Sequence, residues 1–137
     1  MVRSTLAVLL GLLVALATML LLEYIGMSLF PLPPGVTLET EEDLARIVAS
    51  ASPAKQAWVL MGWTLAALAG GWTATRAGRR RTGEALAVGA LIVAGVLANV
   101  AMLPHPAWMT ALGVLLPLPA AWSGARLARP RAAPPTP

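Results

Sequence analysis

Four long apolar runs separated by short polar connections organise the chain. Residues 5–30, TLAVLLGLLVALATMLLLEYIGMSLF, carry no charge before Glu23, and residues 57–75, AWVLMGWTLAALAGGWTAT, carry none at all. Residues 85–103, ALAVGALIVAGVLANVAML, have Asn99 as their one strongly polar side chain, and residues 107–125, AWMTALGVLLPLPAAWSGA, are uncharged. A bilayer core about 30 Å thick is crossed by roughly 20 apolar residues in helical form. Backbone polar groups in hydrocarbon must pair within their own segment, which leaves helices or a closed barrel. The sustained period-two alternation of a barrel is absent. The pattern therefore predicts an all-α integral membrane four-helix bundle, with helices over about 5–28, 54–75, 84–103 and 106–126 in one domain spanning residues 1–127.

The connections carry their own signals. Pro31, Pro33, Pro34 and Gly35 end the first helix, since proline cannot continue one and glycine permits the turn. Residues 40–51, TEEDLARIVASA, read as a short amphipathic helix in the 1–2 connection. Thr40 and Asp43 have capping-box spacing, and Leu44, Ile47, Val48 and Ala51 make one apolar stripe. Ser52 and Pro53 then start the second long helix as N-cap and first helical residue. Pro117 and Pro119 remove two backbone hydrogen bonds in the middle of the fourth, where a kink or break is expected. The tail 128–137 is rich in proline and alanine and is expected to be disordered.

Composition agrees with a lipid environment. The 137 residues are 58% hydrophobic and 12% charged, with mean hydropathy +0.74; a soluble domain carries about a quarter charged residues. Cysteine is absent, which removes disulfides, thiolate nucleophiles and cysteine metal sites. The first run is too long for the apolar part of a signal peptide and lacks a small-x-small cleavage site before Met27, so it reads as a retained helix.

The net charge of +4 reports orientation. Arg76, Arg79, Arg80 and Arg81 fall in the 2–3 connection, Arg126, Arg129 and Arg131 after the fourth run, and Arg3 at the N-terminus. Arg46 and Lys55 lie on the other side with Glu39, Glu41, Glu42 and Asp43. Basic loops stay in the cytoplasm, so both termini are expected there, in a multi-pass protein of the inner membrane. Arg76, Arg79, Arg80, Arg81, Arg126 and Arg129 are expected to meet lipid headgroups; nucleic acid is not an expected partner. Trp58 and Trp108 fall at the outer boundary and Trp72 and Trp122 at the inner one, as an aromatic belt requires. Trp63 is off the belt and is expected between helices. Residues 69–79, AGGWTATRAGR, align with residues 119–129, PAAWSGARLAR, at an offset that also relates Trp58 to Trp108; this is a candidate parallel duplication.

Three polar side chains are candidates for ligand binding or proton transfer near the outer face: Glu23, Asn99 and His105. An ionisable group inside a membrane segment is costly and points to function. Each also has a structural reading: Glu23 as an interfacial carboxylate bonded to Tyr24 or a loop amide, Asn99 as interhelical glue, and His105 as part of the Pro104–Pro106 turn. No cofactor is expected, and no metal, since a lone histidine has no second His or Cys to share one. Gly62, Ala66, Gly70 and Ala74, four apart, suit close helix approach, within the molecule or between copies. No phosphate loop, dinucleotide fingerprint, HExxH or nucleophile elbow is present.

The stretches LFPLPPGV (29–36), GWTLAALAGG (62–71) and NVAMLPHPAW (99–108) resemble those of a group of small bacterial four-transmembrane-helix proteins of uncharacterised function. The resemblance spans the chain to about residue 125 and implies a four-helix fold without implying an activity. The expected function is a non-enzymatic accessory or scaffolding subunit of a larger membrane complex, or a self-associating protein. The alternative is a small oligomeric transporter or channel with a polar site near the outer face. An intramembrane enzyme pairing Glu23 with His105 ranks third.

Overall fold

A computed structural model of the chain describes residues 2–32, 35, 39–79 and 81–129. Regular structure among them is entirely helical: α1 (Val2–Leu29), α2 (Glu41–Ala49), α3 (Pro53–Ala77), α4 (Thr82–Met102), α5 (Ala107–Leu115) and α6 (Pro117–Ala128). Helices α5 and α6 form one 22-residue rod. At Leu116 its backbone keeps right-handed helical angles, and Leu116 N–H still donates to Leu112 O at 2.9 Å. The two prolines thus bend the rod without breaking it. Arg80 and residues 130–137, the greater part of the expected tail, lie outside the described residues.

Three helices are long and apolar enough to cross a membrane: Val2–Leu29, Thr82–Met102 and Ala107–Ala128. The second apolar run, now α3, is as long but is not among them. Its composition follows from its position. Nine of its residues are buried, against four in α1, and it packs on α1, α4, α5 and α6. A helix enclosed by four others is built from Gly, Ala, Thr and Trp, which lower its hydropathy, while α1 shows leucines outward.

Close approach through small residues fixes the register. Small residues let helix backbones approach to direct contact. Antiparallel α1 and α3 meet where a Cβ on Gly11 would lie 2.7 Å from Gly70 O and 2.9 Å from the Ala74 Cβ. The stripe Gly62, Ala66, Gly70 and Ala74 is buried along this seam, so it is an intramolecular packing face. Parallel α3 and α6 meet at Gly71, where a Cβ would lie 2.5 Å from Ala121 O, and at Gly124, where one would fall on Leu68 O. Gly89 of α4 faces Ala121 and Pro117. These contacts hold the half of the molecule that carries the arginines.

The other half is held by larger side chains. Trp63, 6% exposed, packs on Gly113 and Val96. Trp58 donates its indole N–H to Leu22 O at 2.9 Å and lies over Gly26. It is therefore a strut between α1 and α3. Trp72, Trp108 and Trp122 remain exposed. In α2, Thr40 Oγ1 accepts Asp43 N–H at 3.1 Å, and the Ser52 hydroxyl oxygen accepts Lys55 N–H at 3.3 Å as α3 begins. Helix α2 packs closely against no other helix.

Candidate functional site at the α2 end

Helical spacing turns a set of side chains toward the same space. Residues four apart share a face, so Met19, Glu23 and Met27 line up on α1 and Lys55, Val59 and Trp63 on α3, while Asn99 of α4 and its C-cap Leu103 join them. Helices α1 and α4 approach each other in the arginine half, where the Gly11 position meets Val88. At the α2 end the space between them is a cavity of about 550 Å³. That lies within the range of roughly 300–1,000 Å³ typical of small-molecule pockets.

Glu23, Asn99 and His105 all line this cavity. Most of its wall is apolar: Met19, Leu20, Val59, Trp63 and Met109 come from α1, α3 and α5, and Leu44, Ile47 and Val48 from α2. The stripe that makes α2 amphipathic is thus spent on a cavity. A neighbouring hollow of about 600 Å³ shares Phe30, Ile47, Ala51 and Lys55 with it and adds Asp43 and Arg46; those last two form an ion pair at 3.6 Å between an exposed Arg46 and a half-buried Asp43.

The polar groups are mostly unengaged. Among the described residues, Glu23, Asn99 and Lys55 have no side-chain hydrogen bond or ion pair. Glu23 does not bond Tyr24, and no loop amide among those residues reaches it. Nor is Glu23 hydrogen-bonded to His105. The imidazole instead places Nδ1 2.8 Å from Leu103 O. A carbonyl oxygen only accepts, so Nδ1 carries the proton and Nε2 is the free atom. The ring also packs against Trp63, with centroids 6.0 Å apart. His105 therefore serves the turn through Nδ1 while also lining the cavity. Gln56 donates Nε2–H to Ala51 O at 3.1 Å, which leaves its amide oxygen free.

Lys55 and Gln56 were not among the side chains the sequence singled out, although Lys55 sits one helical turn before Val59 and two before Trp63. A second omission lies at the opposite end. Glu84, in the first turn of α4, is only 5% exposed. Both its carboxylate oxygens accept Arg79 N–H, at 3.0 and 3.1 Å, and the group lies over Gly78, where a Cβ would collide with it. Nearby in sequence, Thr75 is fully buried and its hydroxyl has no partner among the described residues.

Of the arginines expected at headgroups, Arg76 stacks over Trp72 at 5.6 Å and Arg126 over Trp122 at 4.1 Å, the same pairing in both aligned stretches. The Arg129 guanidinium donates to the Thr82 hydroxyl. Arg79 and Arg81 are exposed. Comparison with protein-family models, curated proteins and solved structures finds no match, so geometry alone bears on function.

Proposed function

We propose that this chain is a small, non-enzymatic integral membrane protein that binds an amphipathic small molecule at its outer face, as a carrier or as a receptor subunit of a larger assembly. In this reading the chain crosses the inner membrane four times. Helix α3 is the enclosed crossing, both termini and the arginines lie in the cytoplasm, and α2 lies at the outer surface. The single observation that carries the reading is that Glu23, Asn99 and His105 open on one largely apolar cavity roofed by an amphipathic helix. Apolar walls with a few convergent polar groups are the mark of a ligand site. The separation of Glu23 from His105 weighs against the acid–base pair an enzyme would need.

Native mass spectrometry of protein purified in a mild nonionic detergent tests this. An amphiphile is expected to be retained by the parent protein and lost from Val59→Trp, which fills the cavity. Equal retention by both, or by neither, would overturn the reading.

Self-association is favoured by a separate observation. Gly83, Ala90, Ala94, Gly95 and Ala98 are exposed along α4, and a Cβ on Gly83 or Gly95 would meet nothing within 4 Å. This small-residue face is unused within the molecule and suits close helix approach. Gly95→Leu is expected to reduce any dimer seen on cross-linking in the membrane.

A further inference from the structure

The cavity holds two formal charges of opposite sign that do not pair. Glu23 and Lys55 both line it, and no ion pair joins them within 4.0 Å. Glu23 is exposed and Lys55 half-buried on the cavity lining, so each is open to a counter-charge that a ligand brings. A single cationic or anionic ligand would satisfy one and repel the other. A zwitterion satisfies both.

Their depths differ, and the order sets the ligand's polarity. The Trp58 indole reaches Leu22 O and lies over Gly26, so Glu23 is level with Trp58 or deeper. Lys55 precedes Trp58 in α3, about one turn nearer the α2 end. Met19, one turn before Glu23 in α1, and Trp63, two turns after Lys55 in α3, put the apolar floor of the cavity on the far side of Glu23 from Lys55. From floor to roof the sequence is therefore apolar wall, carboxylate, ammonium. Gln56, which lines the cavity, adds an amide oxygen with no donor of its own, which suits a donor or cation.

We infer that the cavity takes a zwitterionic amphiphile whose cationic nitrogen adjoins its alkyl chain and whose anion lies farther out, the nitrogen meeting Glu23 and the anion Lys55. This rests on the amphiphile-binding reading above and deepens it. It excludes, as the preferred ligand, the inverted order in which a phosphate adjoins the chain and the ammonium is terminal.

Two probes with equal chains and opposite dipole order separate these cases: N-dodecyl-N,N-dimethylglycine and dodecylphosphocholine. Each is added below its micelle concentration to the protein in maltoside detergent, and bound stoichiometry is read by native mass spectrometry. The dimethylglycine probe is expected to bind about tenfold more tightly, the scale of one charge-assisted contact. Glu23→Gln and Lys55→Gln should each abolish the preference. Lys55→Gln should also bring dodecyltrimethylammonium, which lacks the anion, to parity with the dimethylglycine probe. Equal binding of the two zwitterions, stronger binding of the phosphocholine, or an unchanged preference in either variant would overturn the inference. Val59→Trp separates the two levels. If it abolishes binding of both zwitterions while the parent does not distinguish them, the cavity stands and the dipole order falls. If binding survives it unchanged, both fall.

Discussion

Replacing Gly71 by alanine tests the contact that closes the arginine half. A Cβ at this position would lie 2.5 Å from Ala121 O, 2.8 Å from its Cα and 3.0 Å from its carbonyl carbon, whereas ordinary contact begins at 3.4 Å. All three atoms belong to backbone inside a helix, so no side chain can turn aside. Helices α3 and α6 must separate by close to an ångström, and Gly124 against Leu68 lies on the same seam. A radial gap of that size forfeits about a quarter to a half of each contact's dispersion well, and overpacking a close-packed site costs typically 1–3 kcal/mol. The substitution also brings a gain, since alanine exceeds glycine in helix propensity by about 1 kcal/mol. Gly95→Ala, read in monomeric protein, isolates it, because Gly95 is helical and within one chain its Cβ would meet nothing within 4 Å. The difference between the two variants removes the propensity contribution and leaves a packing loss of about 2 kcal/mol for Gly71→Ala. Reversible unfolding by dodecyl sulfate from mixed micelles, followed by tryptophan circular dichroism, reads both. Agreement of the two variants within about 0.5 kcal/mol would refute the close approach of α3 and α6.

Thr75→Val replaces a buried, unpartnered hydroxyl by a methyl group of similar shape; stability should be unchanged or rise by up to about 1 kcal/mol, and a clear loss in the same titration would mean that the hydroxyl has a partner. Glu84→Ala should cost about 1.5–3 kcal/mol, because it strips the acceptor from Arg79 N–H and empties the space over Gly78; Glu84→Gln, which keeps one acceptor oxygen, should lose less. Because the chain has no cysteine, single-cysteine variants report topology without background. Arg81→Cys and Ser4→Cys should react with an impermeant maleimide from the same face of oriented vesicles and Glu42→Cys from the opposite face. Labelling of Arg81→Cys and Glu42→Cys from one face would remove the proposed orientation.

Much of the fold was legible because the long runs, the caps and the turns are local in sequence. Thr40, Ser52 and Pro53 act on residues three or fewer positions away, and the apolar stripe of α2 follows from helical period alone. The membership of α3 was harder. Its lower hydropathy reflects enclosure by four neighbours, which is a tertiary property. The Trp58 bond to Leu22 O joins residues 36 apart in sequence, and nothing local announces it. The candidate site was half legible: Glu23, Asn99 and His105 stand out because polar groups are rare in apolar runs. Lys55 was passed over because a cation in a first turn usually lies in solvent. The spacing of Lys55, Val59 and Trp63 held the clue, but only the splay of α1 from α4 gives that face a cavity to look into. Glu84 was missed for a similar reason. Beside three arginines it looks like a solvated counter-charge, yet it accepts a backbone N–H and makes no ion pair within 4.0 Å among the described residues.

The two ends of the molecule answer different demands, and the difference bears on how it would handle a ligand. At the arginine end, glycine and alanine bring α1, α3, α4 and α6 into contact at Gly11, Gly70, Gly71, Gly89 and Gly124. Interiors packed at backbone distance deform little, because each small displacement forfeits many contacts together. At the α2 end, methionine and tryptophan leave space, and methionine's three rotatable bonds let a wall adjust to its occupant. The roof, α2, is tied to the bundle by its flanking segments and by apolar residues over the cavity, with no tight helix contact to break. If the cavity takes a ligand as proposed, the ligand would enter or leave by displacing α2 while the arginine half stays intact. A continuous pore would require parting the Gly71–Ala121 and Gly11–Gly70 seams together, and so losing the contacts that define the register. That asymmetry favours one-sided binding over conduction. If the bound molecule crosses the membrane, the bend at Leu116 is where movement costs least. There α5, which lines the cavity through Met109, joins α6, which is fixed to α3, and the amide hydrogens of residues 117 and 119 are already missing.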